Sequence, residues 1–435
     1  MKKVLIFSYY WPPASSVGVW RFLKMSNYLL DNDWQPIVIT VKSGAYTAMD
    51  PKLEEEVGPR VRVYKTASPD PYRLYNILRG AKGKDLPEAM SNLAESKSAF
   101  HKFSIWVRSN LFIPDPKIGW AFKALKQAKQ ICKEEKIDAI ISTGPPNSVH
   151  LAGMRLAKAT QIPWMMDFRD PWTSNYLVAE IMGRSKWANA IDYKLETKAL
   201  KRADKVVVVS DGMQAEYQDR AKDLMVIPNG FDNQDYNQDF TYQKQEKFTI
   251  SYIGSLKPNQ DIGALWEAFA ELVKENEQLN DKLVIEFLGS TNEFILDKLR
   301  NLGCEKHIST PGRVSHKEAV QHMQKTDMLL FVIPQASYNK SIITGKLFEY
   351  IGAKTPIFSV GPTDGDASKV IDRVGTFPML DYQDKAGMKK HLLAAFNTWS
   401  SSENGLPRLA GEGTEKFTRQ SLTKDLAQAL NEMIS

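Results

Sequence analysis

The chain has 435 residues, 43% of them hydrophobic and 25% charged, with a formal net charge of +6. These are ordinary globular proportions, so global disorder and fibrous structure are excluded, and the length divides into two domains of about 200 residues. The mild positive charge suits an anionic ligand or an anionic membrane surface; with no Lys/Arg tract it is too weak to argue for nucleic acid, and no nucleic-acid partner is expected.

Cys132 and Cys304 lie far apart without metal-ligand spacing, which argues for a reducing cytoplasmic compartment and against a disulfide framework. Met1-Lys2-Lys3 before Val4-Leu5-Ile6-Phe7 resembles the start of a signal peptide. Its apolar run stops at Ser8 and Pro12-Pro13 follow, so it reads as a first buried strand. No apolar run approaches the roughly 18 to 20 residues of a membrane span, so membrane contact is expected to be peripheral, on a cytoplasmic face.

Apolar runs of strand type follow at Val4 to Ser8, Pro36 to Val41, Val61 to Lys65, Asp138 to Ser142, Ile162 to Phe168 and Lys205 to Ser210. Helical patterns separate most of them, at Val19 to Leu30, Trp120 to Glu135, Ser148 to Ala159 and Lys186 to Arg202. Uniformly apolar strands alternating with amphipathic helices imply a parallel sheet covered on both faces. After Ile227-Pro228-Asn229-Gly230 the chain turns polar, and the alternation then restarts. Strands are expected at Phe248 to Ile253, Leu283 to Leu288, Asp327 to Ile333 and Pro356 to Val360, with helices from about Ile262, Glu293, His316 and Gly345. Lys416 to Ile434 has the spacing of a closing amphipathic helix.

The expectation is an α/β protein of two Rossmann-like, doubly wound domains facing across a cleft. The first spans 1–235, with an insertion at about 79–115; the second spans 236–405; residues 406–435 return to the first. In the insertion, Phe100, Phe103, Trp106, Val107, Asn110 and Leu111 form a helical stripe flanked by His101, Lys102 and Arg108. Two readings stand for it, core and membrane docking.

The most informative motif is Thr344-Gly345-Lys346-Leu347-Phe348-Glu349-Tyr350-Ile351, between the strands at Asp327 and Pro356. A helix beginning there offers unpaired N–H groups and a positive dipole end. Lys346 adds a full charge, and Glu349, one turn on, can accept hydrogen bonds from ribose hydroxyls. That combination suits a nucleotide diphosphate; a solvated Lys–Glu pair is the plain alternative. The preceding loop, with Asn339 and Lys340, is expected beside the ligand. Gly254 and Ser255 close another strand, with Lys257 either meeting a phosphate or solvated. Ser315 reads as an N-cap.

In the first domain, Gly18 ends a strand-to-helix loop and allows close backbone approach, with Arg21 one turn later. Asp167, Arg169 and Asp170 cluster at the carboxyl end of a buried strand, where charges need partners or a ligand. They are expected as catalytic-site residues that orient sugar and acceptor; Arg169 pairing with Asp167 or Asp170 is the structural alternative. His150, after Gly144-Pro145-Pro146, either approaches the same cleft or is a core histidine.

The chain resembles retaining glycosyltransferases of family 4, of GT-B architecture. The resemblance rests on Val4 to Gly18, Asp167-Phe168-Arg169-Asp170-Pro171-Trp172, Ala203-Asp204-Lys205-Val206 with Ser210, Ile227-Pro228-Asn229-Gly230, the Gly254 loop, and Lys346-Leu347-Phe348-Glu349-Tyr350. It implies that Lys346 and the adjacent helix start, Thr344, Gly345 and Leu347, hold the donor diphosphate, Glu349 the ribose, and that Gly18 lies near the donor phosphates. The sequence departs from many relatives at Ser341 and Arg169, where they have Glu and His, and at Ser255, where they have Arg. The implied function is transfer of a sugar from a nucleotide-sugar co-substrate to a glycan, lipid-linked or small-molecule acceptor, in polysaccharide or glycoconjugate synthesis. No metal or other cofactor is expected. A non-catalytic sugar-nucleotide-binding subunit and a nucleotide-sugar epimerase are the alternatives.

Overall fold

The computed structural model describes residues 1–15, 17–44, 46, 49–68, 106–174, 184–375, 377–409 and 413–435. Two compact units emerge: Met1–Asn229 with Arg419–Ser435, and Gly230–Thr418.

In the first unit, strands β1 (Lys2–Ser8), β2 (Trp34–Val41), β3 (Arg62–Thr66), β4 (Ala139–Gly144), β5 (Trp164–Phe168), β6 (Lys205–Val208) and β7 (Leu224–Val226) alternate with helices. The helices are α1 (Val17–Leu29), α2 (Ile118–Glu134), α3 (Ser148–Thr160), α4 (Lys186–Arg202) and α5 (Asp211–Tyr217), with α13 (Arg419–Ile434) closing the unit. The described strands form a parallel sheet of order β3-β2-β1-β4-β5-β6-β7. Val4 and Ile6 face one apolar cluster and Leu5 and Phe7 the other, so helices bury both faces of β1. On α13, Leu422, Leu426 and Leu430 join the cluster of Val19 and Phe22 from α1.

The second unit contains β8 (Phe248–Ile253), α6 (Gly263–Glu275), α7 (Glu277–Lys282), β9 (Leu283–Leu288), α8 (Glu293–Asn301) and β10 (Ile308–Gly312). It continues through α9 (His316–Lys325), β11 (Met328–Val332), α10 (Gly345–Gly352), β12 (Ile357–Val360), α11 (Asp366–Val374) and α12 (Lys385–Ser401). Its described sheet is again parallel, of order β10-β9-β8-β11-β12. Strands β7 and β10 lie at sheet edges and were not expected from the sequence.

The strand order reverses between β1 and β4 in the first unit and between β8 and β11 in the second. At such a point the loops leaving the strand carboxyl ends diverge and open a crevice. Residues 79–105 of the expected insertion, including Phe100, His101, Lys102 and Phe103, lie outside the described residues. Of the rest, 106–111 is helical; Trp106 and Leu111 are exposed, while Asn110 is buried and accepts the Ser185 N–H at 2.8 Å. Among the described residues no helix is long and apolar enough to cross a membrane.

Candidate functional site

The crevice of the second unit lies where the Gly254 loop leaves β8 and the Gln335–Thr344 loop leads from β11 to α10. Gly254 has φ 112°, and a Cβ added there would sit 2.8 Å from Lys346 Nζ. Glycine therefore serves twice, supplying a left-handed backbone and leaving room for the lysine. The Lys346 ammonium donates to Tyr252 Oη at 2.7 Å and lies 4.1 Å from the Tyr252 ring centroid. Burial lowers the Lys346 pKa to about 8; Glu349 opposes that shift and Lys257 adds to it. An anion arriving beside Lys346 would relieve both the burial and the repulsion between lysines.

Thr344 occupies the N-cap of α10 without capping it, and its buried Oγ1 has no hydrogen-bond partner among the described residues. The N–H groups of Gly345 and Lys346 fall in the first turn, where the helix provides no acceptors. Together these groups fit an oxyanion. Glu349 is partly exposed, 3.8 Å from His316 Nε2, and its backbone carbonyl accepts the Tyr236 hydroxyl at 2.9 Å. Ser255 and Lys257 are exposed. Ser315 caps α9 in a capping box with Glu318.

Three expected donor contacts are engaged elsewhere. Leu347 packs fully buried in the core, and its N–H donates to the Thr344 carbonyl at 3.2 Å. Lys340 pairs with Asp364 on the surface. Asn339 donates to the Pro334 carbonyl at 3.2 Å and to Tyr382 Oη at 3.1 Å, bracing its own loop.

In the first unit, Gly18 opens α1 against the loop after β5: a Cβ there would fall 1.8 Å from Arg169 Nη1. Arg169 pairs with Asp170 at 3.1 Å, and Asp170 keeps a side-chain exposure of 45%, enough to meet a ligand. Asp167 does not join them. It is wholly buried; Oδ1 accepts from Arg21 Nη2 at 2.8 Å and Nε at 3.2 Å, and Oδ2 accepts from Thr143 at 2.8 Å. With both oxygens occupied it is a structural carboxylate rather than one that orients sugar. Arg21 also donates to the Pro228 carbonyl at 2.7 Å, tying α1 to the end of the unit.

His150 is likewise a core residue. It is fully buried, with Nδ1 2.9 Å from Ser142 Oγ and its ring centroid 4.8 Å from that of Phe168. Burial pushes its pKa down to about 3, so the imidazole is neutral near pH 7 and packed beneath Gly144. Sequence reasoning noted Arg21 without its partner and missed Tyr252 as the support of Lys346. A tyrosine two residues before a strand-ending glycine carries no signal until the strand and helix are brought together.

Residues 89–235 match the model of Glycosyltransferase Family 4. No curated protein matches the sequence. Among solved structures, a sucrose-phosphate synthase from Thermosynechococcus elongatus superposes with a TM-score of 0.62 at 12% identity, covering 99% of each chain. A mutant S. aureus TarM in complex with fondaparinux, α-GlcNAc-glycerol and UDP gives 0.61 at 11% identity, over 99% of this chain and 100% of that one. A putative UDP-N-acetylglucosamine 2-epimerase from Listeria monocytogenes gives 0.55 at 12% identity, over 99% of this chain and 96% of that one. At such identities these neighbours establish the fold. The GT-B architecture and the resemblance to family 4 both hold.

Proposed function

We infer that this chain, a family 4 glycosyltransferase by resemblance, matched segment and fold, moves a hexosyl-type unit from a nucleotide-diphosphate donor to an acceptor hydroxyl, retaining anomeric configuration. The observation that carries the reading is the partly buried Lys346 ammonium beside the bare Cα of Gly254, at the positive end of α10. As the bond from anomeric carbon to diphosphate oxygen breaks, negative charge grows on the diphosphate. Lys346, Lys257 and the first-turn N–H groups of Gly345 and Lys346 stabilise it, and Thr344 Oγ1 donates to a phosphate oxygen. Glu349 accepts from the ribose hydroxyls. A leaving phosphate oxygen takes the proton of the attacking hydroxyl, so the scheme assigns no protein base and invokes no metal.

Arg169 and Asp170 are assigned to the acceptor, and Gly18 to close backbone approach. The buried Arg21–Asp167 pair acts behind them, holding β5 and α1 in place. The acceptor belongs to polysaccharide or glycoconjugate synthesis in this reading, and the UDP bound to TarM supports uridine diphosphate sugars as the first donors to try.

The test is incubation with labelled nucleotide sugars and candidate acceptors. A transferase releases nucleoside diphosphate in proportion to glycosylated acceptor. Binding without release would identify a non-catalytic subunit, and interconversion of sugars without acceptor would identify an epimerase.

A further inference from the structure

Helix α4 buries both of its carboxylates and leaves a tryptophan and an isoleucine exposed. Its two carboxylates point inward: Asp192 accepts from Trp172 Nε1 at 2.8 Å, and Glu196 accepts from Thr173 Oγ1 at 2.8 Å and Arg220 at 2.7 Å. Leu200 joins the core and Leu195 packs against it, but two other large apolar side chains of the helix point outward, Trp187 being 47% exposed and Ile191 43%. At 3.6 residues per turn, Trp187, Ile191, Lys194, Lys198 and Lys201 fall within about 80° of one another, so they form one stripe. The three lysines are exposed. The acids are roughly 100° to 180° away, which leaves the stripe purely cationic and apolar.

The carboxyl-terminal half of this stripe runs along a shallow groove of about 890 Å³ whose lining adds Lys158 from α3, Arg202 and Lys222. The single carboxylate in that lining is Asp204, which lies 4.0 Å from Lys222 and accepts the Trp164 N–H. Solvated lysines explain neither the outward tryptophan nor the adjacent isoleucine, since burying either would be favourable. A nucleic acid would satisfy the lysines but gives an isoleucine nothing to enter. A bilayer surface bearing anionic headgroups satisfies both, with phosphates over the lysines and the Trp187 and Ile191 side chains at the headgroup level.

We propose that the outer face of α4, with the groove beside it, docks on an anionic lipid bilayer. The assignment is independent of the donor site. It has a structural corollary: Trp172 and Thr173, held by Asp192 and Glu196, belong to the loop that carries Arg169 and Asp170, so the docking helix and that loop are braced together.

The test is flotation of the full chain with phosphatidylcholine vesicles, with and without about 30% phosphatidylglycerol, at low and high salt. The chain floats with the anionic vesicles only, and high salt weakens the association. At roughly fivefold per lysine, Lys194→Ala/Lys198→Ala/Lys201→Ala lowers partitioning about a hundredfold. Trp187→Ala/Ile191→Ala lowers it about tenfold or more, with the salt dependence kept. Lys282→Ala/Lys325→Ala/Lys390→Ala, which removes equal charge from exposed positions of the second unit, leaves it unchanged.

Thermal melts confirm folding, and single variants Lys198→Ala and Trp187→Ala serve if a multiple variant does not fold. Failure to float with anionic vesicles, or an equal loss from the second-unit control, overturns the proposal. So does partitioning insensitive to the α4 changes, or binding to single-stranded nucleic acid that matches the vesicles and ignores Trp187.

Discussion

A nucleoside diphosphate that rests on the Lys346 ammonium loses affinity when that ammonium loses its proton, and this happens at an unusually low pH. Burial sets the Lys346 pKa in the free protein at about 8, against 10.5 for an ordinary lysine. The protonated fraction then falls from roughly 0.76 at pH 7.5 to about 0.03 at pH 9.5. If only the protonated form binds, affinity falls roughly 25-fold, or about 1.9 kcal/mol, over that interval. The sign follows from linkage: a bound anion raises the lysine pKa, so binding takes up a proton and weakens with rising pH until the pH passes the raised value. The diphosphate contributes little to this slope, because its last ionisation, near pH 6, is complete.

Isothermal titration of uridine diphosphate at half-unit steps from about pH 7.5 to 9.5 reads the effect. Lys346→Met binds more weakly by roughly 1.5 to 3 kcal/mol and shows a flat profile over the same range. Equal slopes in the wild type and Lys346→Met, or a lysine titrating near 10.5 by NMR, would refute the reasoning.

Asp167→Ala leaves the Arg21 guanidinium buried without its partner and lowers unfolding free energy by about 3 to 5 kcal/mol in urea. The double change Arg21→Met/Asp167→Leu restores much of the loss, and an unchanged urea midpoint for Asp167→Ala would contradict the structural role. Because the folded state holds His150 neutral down to about pH 3, its contribution is complete above the unfolded pKa near 6.5 and is lost as pH falls below it. Between pH 7 and 5.5 that amounts to about 1.2 kcal/mol, which His150→Leu removes from the pH dependence of urea unfolding. Glu349→Ala weakens a ribonucleoside diphosphate and leaves inorganic pyrophosphate unaffected in competition titrations. Equal weakening of both would mean that Glu349 acts on Lys346 rather than on ribose.

Strands buried on both faces announce themselves as unbroken apolar runs, and β1, β2, β4, β5, β8, β11 and β12 were legible for that reason. The edge strands β7 and β10 lack the signal. In β10 the sequence Ile308-Ser309-Thr310-Pro311-Gly312 is half-exposed and carries a proline, which an edge tolerates because one side of its ladder is unpaired. Lys346 could be singled out because its argument is local: a loop, a helix start and a charge within a few residues. Asp167 could not be resolved, because its partner Arg21 lies 146 residues away, and a buried carboxylate with a partner looks in sequence like one awaiting a substrate. His150 shows the same ambiguity, since the Ser142 hydroxyl that holds it is recognisable only once β4 and α3 pack.

The discontinuity of the first unit has a consequence for biogenesis. Its apolar cluster stays open along α1 until residues beyond 418 have left the ribosome, whereas the second unit, encoded in one uninterrupted stretch, can mature before then. A nascent chain therefore carries an unsealed surface through the translation of almost two hundred codons. Holding chaperones have their longest opportunity during that interval, and premature termination there strands the earlier-made half rather than the later one.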